Sequence, residues 1–137
     1  MAKQSGLGWT TFSVDDASGT PEAIKNDITN FQFATPRAVQ DITGVDKFAM
    51  ERLLLLADMS ITANGVANFA STPSAHDVWK TVPLSTSPAR TTTLTIASKT
   101  LAAEILYTDY PLTRSAAGEL TFAVPGVLAD GTVPTWA

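Results

Sequence analysis

The chain has 137 residues, a net charge of −4 and no cysteine, which is length enough for one domain with its own core and excludes disulfides, thiolate nucleophiles and zinc–thiolate centres. Its nine Lys and Arg are scattered singly against thirteen Asp and Glu, so no basic patch is available to hold a nucleic-acid backbone. No stretch approaches the ~20 apolar residues of a membrane span, and the N-terminus has no apolar core of a secretory signal, so the expectation is a protein made and kept in the cytosol unless it leaves inside something larger.

Residues 1–8 are small and polar with two glycines, and read as a flexible arm. Trp9–Val14 is β-branched and aromatic, which predicts a first strand, followed by a loop over Asp15–Pro21. Ile24–Phe33 predicts a second strand. Its apolar positions Ile24, Ile28, Phe31 and Phe33 lose their alternation near Asn30, as a bulge would make them do.

Arg37–Asn64 holds the densest apolar run, Leu53-Leu54-Leu55-Leu56, and has two readings. As a helix, Asp46 caps it, and Val45, Phe48, Ala49, Arg52, Leu53 and Leu56 crowd one side. As a long hairpin, Arg37–Thr43 and Arg52–Asn64 are strands joined by a loop at Gly44–Phe48. The flanks alternate as strands do, and four leucines in a row suit a strand covered on both faces, so the hairpin is preferred. Asn64-Gly65 closes the segment as a tight-turn pair.

Pro73–Val82 predicts one short helix, with Thr72 as N-cap and Ala75, Val78, Trp79 and Val82 on one face. At three turns or fewer it must lie on a sheet, anchored by Trp79. The single histidine, His76, is expected to face solvent. It sits about 100° around the helix from its neighbour Asp77, so the two are no catalytic pair. The last third alternates cleanly: Thr92-Leu94-Ile96, Leu101-Ala103-Ile105-Tyr107 and Leu120-Phe122-Val124 each predict a strand with one buried face. Ser115–Gly118 and Asp130-Gly131 read as turns, and 132–137 as a short tail whose Trp136 either folds back or docks on a neighbour.

No nucleophile, metal-ligand spacing or phosphate fingerprint emerges, so neither an enzyme nor a cofactor site is expected. Charged residues are only 16% of the chain, against about a quarter in ordinary domains. That low figure suits a surface largely covered by copies or partners.

In the order and spacing of several short elements, over most of its length, the chain resembles a tail tube protein of a long-tailed, non-contractile bacteriophage. These are Asp41-Ile42-Thr43-Gly44 after Pro36-Arg37, and Glu51-Arg52-Leu53 leading to Leu56-Ala57-Asp58 and a Ser60 strand ending at Gly65. His76-Asp77-Val78-Trp79 and Arg90-Thr91-Thr92 follow, then Asp109–Arg114, Gly118-Glu119-Leu120 and Ala129–Thr132. The resemblance implies a mainly β, sandwich or barrel-like domain with one flanking helix and a long hairpin that joins an inter-subunit β-barrel. It implies hexameric rings stacked into a hollow tube in the virion tail, assembled in the host cytoplasm. The implied partners are other copies, a tape-measure protein, a tail terminator and tip or baseplate proteins, with double-stranded DNA passing through without binding.

A lumen that lets a polyanion slide should be acidic or neutral, and six chains of net charge −4 would carry about −24 per ring. Asp58, Ser60 and Thr62 share one face of the second hairpin strand, with Asp41 as the matching acid on the first, and are the candidate lumen residues. Thr91, Thr93 and Thr95 form a competing set. Leu54, Leu56 and Trp136 are the candidate inter-subunit contacts. Competing functions are another ring-forming tail component, such as a terminator or completion protein, and a ligand-binding β-sandwich.

Overall fold

A computed structural model describes residues 3–70, 72–84 and 89–137; Met1 and Ala2 of the expected N-terminal arm lie outside them. Among the described residues eleven strands run in chain order: β1 (Thr11–Asp15), β2 (Pro21–Ala23), β3 (Ile28–Ala34), β4 (Arg37–Asp41), β5 (Arg52–Ala57) and β6 (Ser60–Val66). After helix α1 (Ala75–Trp79) come β7 (Arg90–Ile96), β8 (Lys99–Tyr107), β9 (Leu112–Arg114), β10 (Leu120–Leu128) and β11 (Thr135–Trp136). The fold is the mainly β, antiparallel one expected, with one short helix.

Nine strands form one sheet in the order β2-β1-β7-β8-β10-β6-β3, with β11 added to β8 and β9 to β10. Edge strand β3 and β1, the strand next to the opposite edge, meet through side chains. Phe12 on β1 and Phe31 on β3 lie edge to face with centroids 5.1 Å apart, and Trp9 reaches Phe31 at 4.9 Å. The sheet therefore curls into a barrel-like wrap whose seam, between β1 and β3, is closed by aromatic rings rather than by a ladder. The alternating residues inside it make the core: Phe12, Val14, Leu94, Leu101, Ile105, Phe122 and Val124 are all buried. Helix α1 plugs the wrap with Trp79, fully buried against Tyr107 at 5.5 Å and Phe122 at 5.4 Å.

The helix is shorter than expected at both ends. Ser74, not Thr72, is the N-cap, and its hydroxyl accepts from the Asp77 amide. A second cap comes from far away: the buried carboxylate of Asp27 accepts the Ala75 amide at 2.8 Å and the Asn68 side-chain amide at 3.1 Å. At the other end Arg90, 1% exposed, donates to the Val78 carbonyl and the Thr81 hydroxyl. Val82 and Leu84 then bond three residues back, to Trp79 and Thr81, so the chain tightens out of the helix there. His76 does not face solvent freely. It is half-buried, edge-on to Phe69 at 4.5 Å, with Nδ1 3.1 Å from the Tyr110 hydroxyl.

Two other expectations change. The strand expected over Ile24–Phe33 begins at Ile28, because Lys25–Asp27 form a 3-10 turn; its bulge falls between Ile28 and Asn30, where the alternation slipped. Asn64-Gly65 is no turn but lies inside β6. Gly65 is required by close approach: a Cβ there would stand 2.0 Å from the Asp27 carbonyl oxygen and 2.5 Å from the Phe122 ring.

Candidate assembly interface

Strands β4 and β5 form a two-stranded hairpin outside the main sheet, joined by a loop and not a helix. Every residue of β4 and all of β5 but Ala57 is exposed, including Val39 at 52%, Leu54 at 54% and Leu56 at 86%. An isolated two-stranded hairpin is at best marginal in water, and one displaying this much leucine has an unmet need for cover.

The hairpin is the outward continuation of the β3–β6 pair. In the main sheet Ala34 stands opposite Ser60; three residues on, Arg37 stands opposite Ala57, so the register carries across the gap. What interrupts the ladder is Pro36, which has no amide to donate; its carbonyl still accepts from the Asp58 amide at 2.9 Å. The strand expected over Arg52–Asn64 is thus two strands, β5 and β6, broken at Asp58-Met59, where Met59 turns fully into the core. Within the hairpin one residue of β4, Ala38, spans two of β5, Leu55 and Leu56. The Leu55 carbonyl freed by this bulge accepts from the Arg37 guanidinium at 3.0 and 2.5 Å.

The tip is braced by short-range bonds. The Asp41 carboxylate accepts the Thr43 amide at 2.9 Å and its hydroxyl at 2.6 Å. That hydroxyl accepts the Glu51 amide at 2.8 Å, and the Ile42 amide reaches the Glu51 carbonyl at 3.0 Å. The Thr43 hydroxyl and amide hold the Asp41 carboxyl below its ordinary value, so it stays ionised. Lys47 lies 3.9 Å from Asp46 and 3.8 Å from Glu51. On this braced loop Val45 and Phe48 point away from the rest of the chain, each with 108% of reference exposure.

The candidate lumen residues fall in two places. Asp58, Ser60 and Thr62 are exposed along the outer face of the β6 arm. There Ser60 and Thr62 stand opposite Ala34 and Gln32 of β3, and beyond them the Asn64 side chain donates to Asn30 at 2.6 Å. This strip contains no Lys or Arg. Asp41 is not its neighbour: it pairs with Arg52 at the far end of the hairpin from Asp58. In the competing set, the Thr91 hydroxyl donates to Glu104 and that of Thr95 bonds Thr100, so these side chains are half-buried cross-strand partners.

Of the candidate contacts, Leu54 and Leu56 lie on the hairpin. Trp136 is elsewhere: the tail folds back as β11 on β8, which leaves the indole 47% exposed and 5.8 Å from Phe33. Trp9, Phe31, Phe33 and Trp136 therefore make one aromatic row along the seam. The alternation of Phe31 and Phe33 hinted at one face of a strand, but nothing local placed Trp9 and Trp136 beside it. The clamping of the helix by Asp27 and Arg90 was not legible in the sequence for the same reason.

Among the described residues no helix is long and apolar enough to cross a membrane. No family model matches the chain, and neither does any curated protein. Solved structures do match. A chain of the virion of a native gene transfer agent (GTA) particle superposes with a TM-score of 0.72 at 16% identity, over 97% of this chain and 99% of that one. A chain of the tail of an empty GTA particle, computed with helical refinement and C6 symmetry, superposes equally well over 98% of both. The fold is that of these virion and tail chains from end to end.

Proposed function

We propose that the chain is a structural, non-enzymatic subunit of a virion tail tube, in which hexameric rings stack into a hollow tube that conducts DNA. The observation that carries this is the exposed leucine hairpin, held in register with the body yet covered by none of the described residues of its own chain. An edge of such a hairpin is a template for the next copy's strand, and a ring satisfies every edge at once. The end-to-end likeness to a chain of a tail with C6 symmetry supports the same arrangement. A tape-measure protein, a terminator and a tip or baseplate are the further partners such a tube needs. The lumen is assigned to the cation-free strip along Asp58, Ser60 and Thr62, over which a polyanion slides without being held, with Asp41 as its outlying acid.

Negative-stain electron microscopy of the concentrated full chain tests the assembly. Uniform hollow tubes are expected. Isolated rings that never stack would point to a terminator, and a persistent monomer at every concentration would refute both. Changing Asp41 and Asp58 together to Asn should leave tubes intact but slow DNA ejection from particles built with the variant. Unchanged ejection would remove the lumen assignment.

A further inference from the structure

The seam between β1 and β3 holds an open groove of about 560 Å³, walled by Trp9, Phe12, Phe31 and Phe33. Pockets for small organic ligands run from about 300 to 1,000 Å³. The lining has one charged residue, Lys25, and no carboxylate, in a chain with thirteen acids and nine bases. We propose that this groove is a binding site for a small amphipathic anion, an alkyl carboxylate, whose chain lies along the aromatic wall and whose head meets Lys25. The site belongs to the single chain, so it goes beyond the tube reading and does not depend on it.

Three properties of the groove select such a ligand. The first is its surface. Trp9, Phe31 and Phe33 are half-buried, packed on the core yet open to water along the seam. The Phe31 and Phe33 rings lie within 12° of parallel with centroids 6.2 Å apart, and Trp136 continues the line 5.8 Å beyond Phe33. A long narrow apolar strip of this kind is covered by an extended chain, and covering it is favourable. The second is the polar inventory, which offers chiefly donors. The Lys25 ammonium spends one donor on the Thr10 carbonyl at 3.2 Å and has two more to offer. The Trp9 indole N–H has no hydrogen-bond partner among the described residues. The Asn30 side-chain oxygen already accepts from Asn64 at 2.6 Å, which leaves its amide hydrogens. Donors with a cation among them call for an acceptor with negative charge; a neutral lipid would leave Lys25 unmatched, and a cationic one would be repelled. The third is access. Strand β3 is a sheet edge, paired on one side only, by β6, so a ligand enters along the seam without parting a ladder.

Decanoate, kept below its micelle concentration, is titrated into the dilute full chain and followed by calorimetry and tryptophan emission. One saturable site is expected, with a Kd of about 10 μM to 1 mM for a ligand of this size, and a blue shift as Trp9 loses water. Decyltrimethylammonium, the same chain with a cationic head, should bind more weakly. Lys25→Glu, at an exposed position, should weaken decanoate by roughly tenfold or more and reverse the preference between the two, whereas Lys25→Arg should retain binding. A urea curve confirms that both variants are folded. Amide shifts in nuclear magnetic resonance spectra should centre on β1 and β3. Equal binding of the two amphiphiles, or a folded Lys25→Glu variant that binds decanoate as the wild type does, would overturn the site. So would the lack of any saturable binding, or shifts centred on the exposed leucines of β5. Each of these failures leaves the tube reading standing, and a chain that binds decanoate but never assembles would refute the tube reading alone.

Discussion

Replacing Leu56 with Ser separates the two jobs a leucine can do, holding the fold or holding the neighbour. Burying a leucine completely is worth about 1.5–3 kcal/mol. In the free chain Leu56 keeps 86% of its reference exposure, so almost none of that is realised on folding. Nearly all of it, about 1–2.5 kcal/mol per subunit, is available only when another copy covers the hairpin. The substitution should therefore leave urea unfolding of the monomer within about 0.5 kcal/mol of the wild type, as surface changes do. Subunit addition should lose the rest, and at 1.4 kcal/mol per tenfold the critical concentration should rise by roughly fivefold to sixtyfold. Sedimentation of assembled material across a concentration series measures the second quantity, and a denaturant curve below the critical concentration the first. The reasoning is refuted if the monomer loses 2 kcal/mol or more while the critical concentration stays put, because Leu56 would then be packed within its own chain.

Gly65→Ala should destabilise the monomer by about 3 kcal/mol or more, at the upper end of overpacking costs, since its Cβ would collide with the Asp27 backbone carbonyl; a thermal melt within a degree of wild type would sink the close-approach argument. Asp27→Ala should cost about 1–3 kcal/mol by leaving the buried Ala75 amide without its acceptor, read as a lower urea midpoint at unchanged slope. The hairpin tip has its own pH dependence. Because the Asp41 carboxyl is held below 3.8 in the folded chain, its contribution is fully present above that value and is lost as pH falls through the lowered one. Protection of the Thr43 amide from hydrogen exchange should persist to about pH 4 and fail only in stronger acid. Failure near neutrality would show that some other group holds the tip.

How much of this was legible in the chain depended on the range of the interaction concerned. Strands β7, β8 and β10 are plain in the sequence because one-sided burial imposes a period of two on adjacent residues, and the bulge near Asn30 is plain as a slip in that period. The hairpin reading of Arg37–Asn64 holds as a pair of arms, and its second strand was expected to run on to Asn64, yet its break at Asp58-Met59 and the pairing of its outer part with β3 were hidden. Both depend on what lies across the ladder, at Pro36 and in the core beneath Met59. Thr72-Pro73 made a convincing helix start by local rules, but a carboxylate 48 residues upstream and the Ser74 hydroxyl cap the helix instead. Asn64-Gly65 spells a turn in any isolated peptide; here the glycine exists to let another backbone pass.

The hairpin's four leucines are the sharpest case. Their run is fixed by sequence, and so is the need to cover it. Only the tertiary structure decided that none of the described residues of the same chain does so, because the core is already filled by the alternating faces of the wrapped sheet and by Trp79. The seam groove belongs wholly to the fold: Trp9, Phe31, Phe33 and Trp136 are up to 127 residues apart in the chain and become neighbours only when the two ends of the sheet curl together.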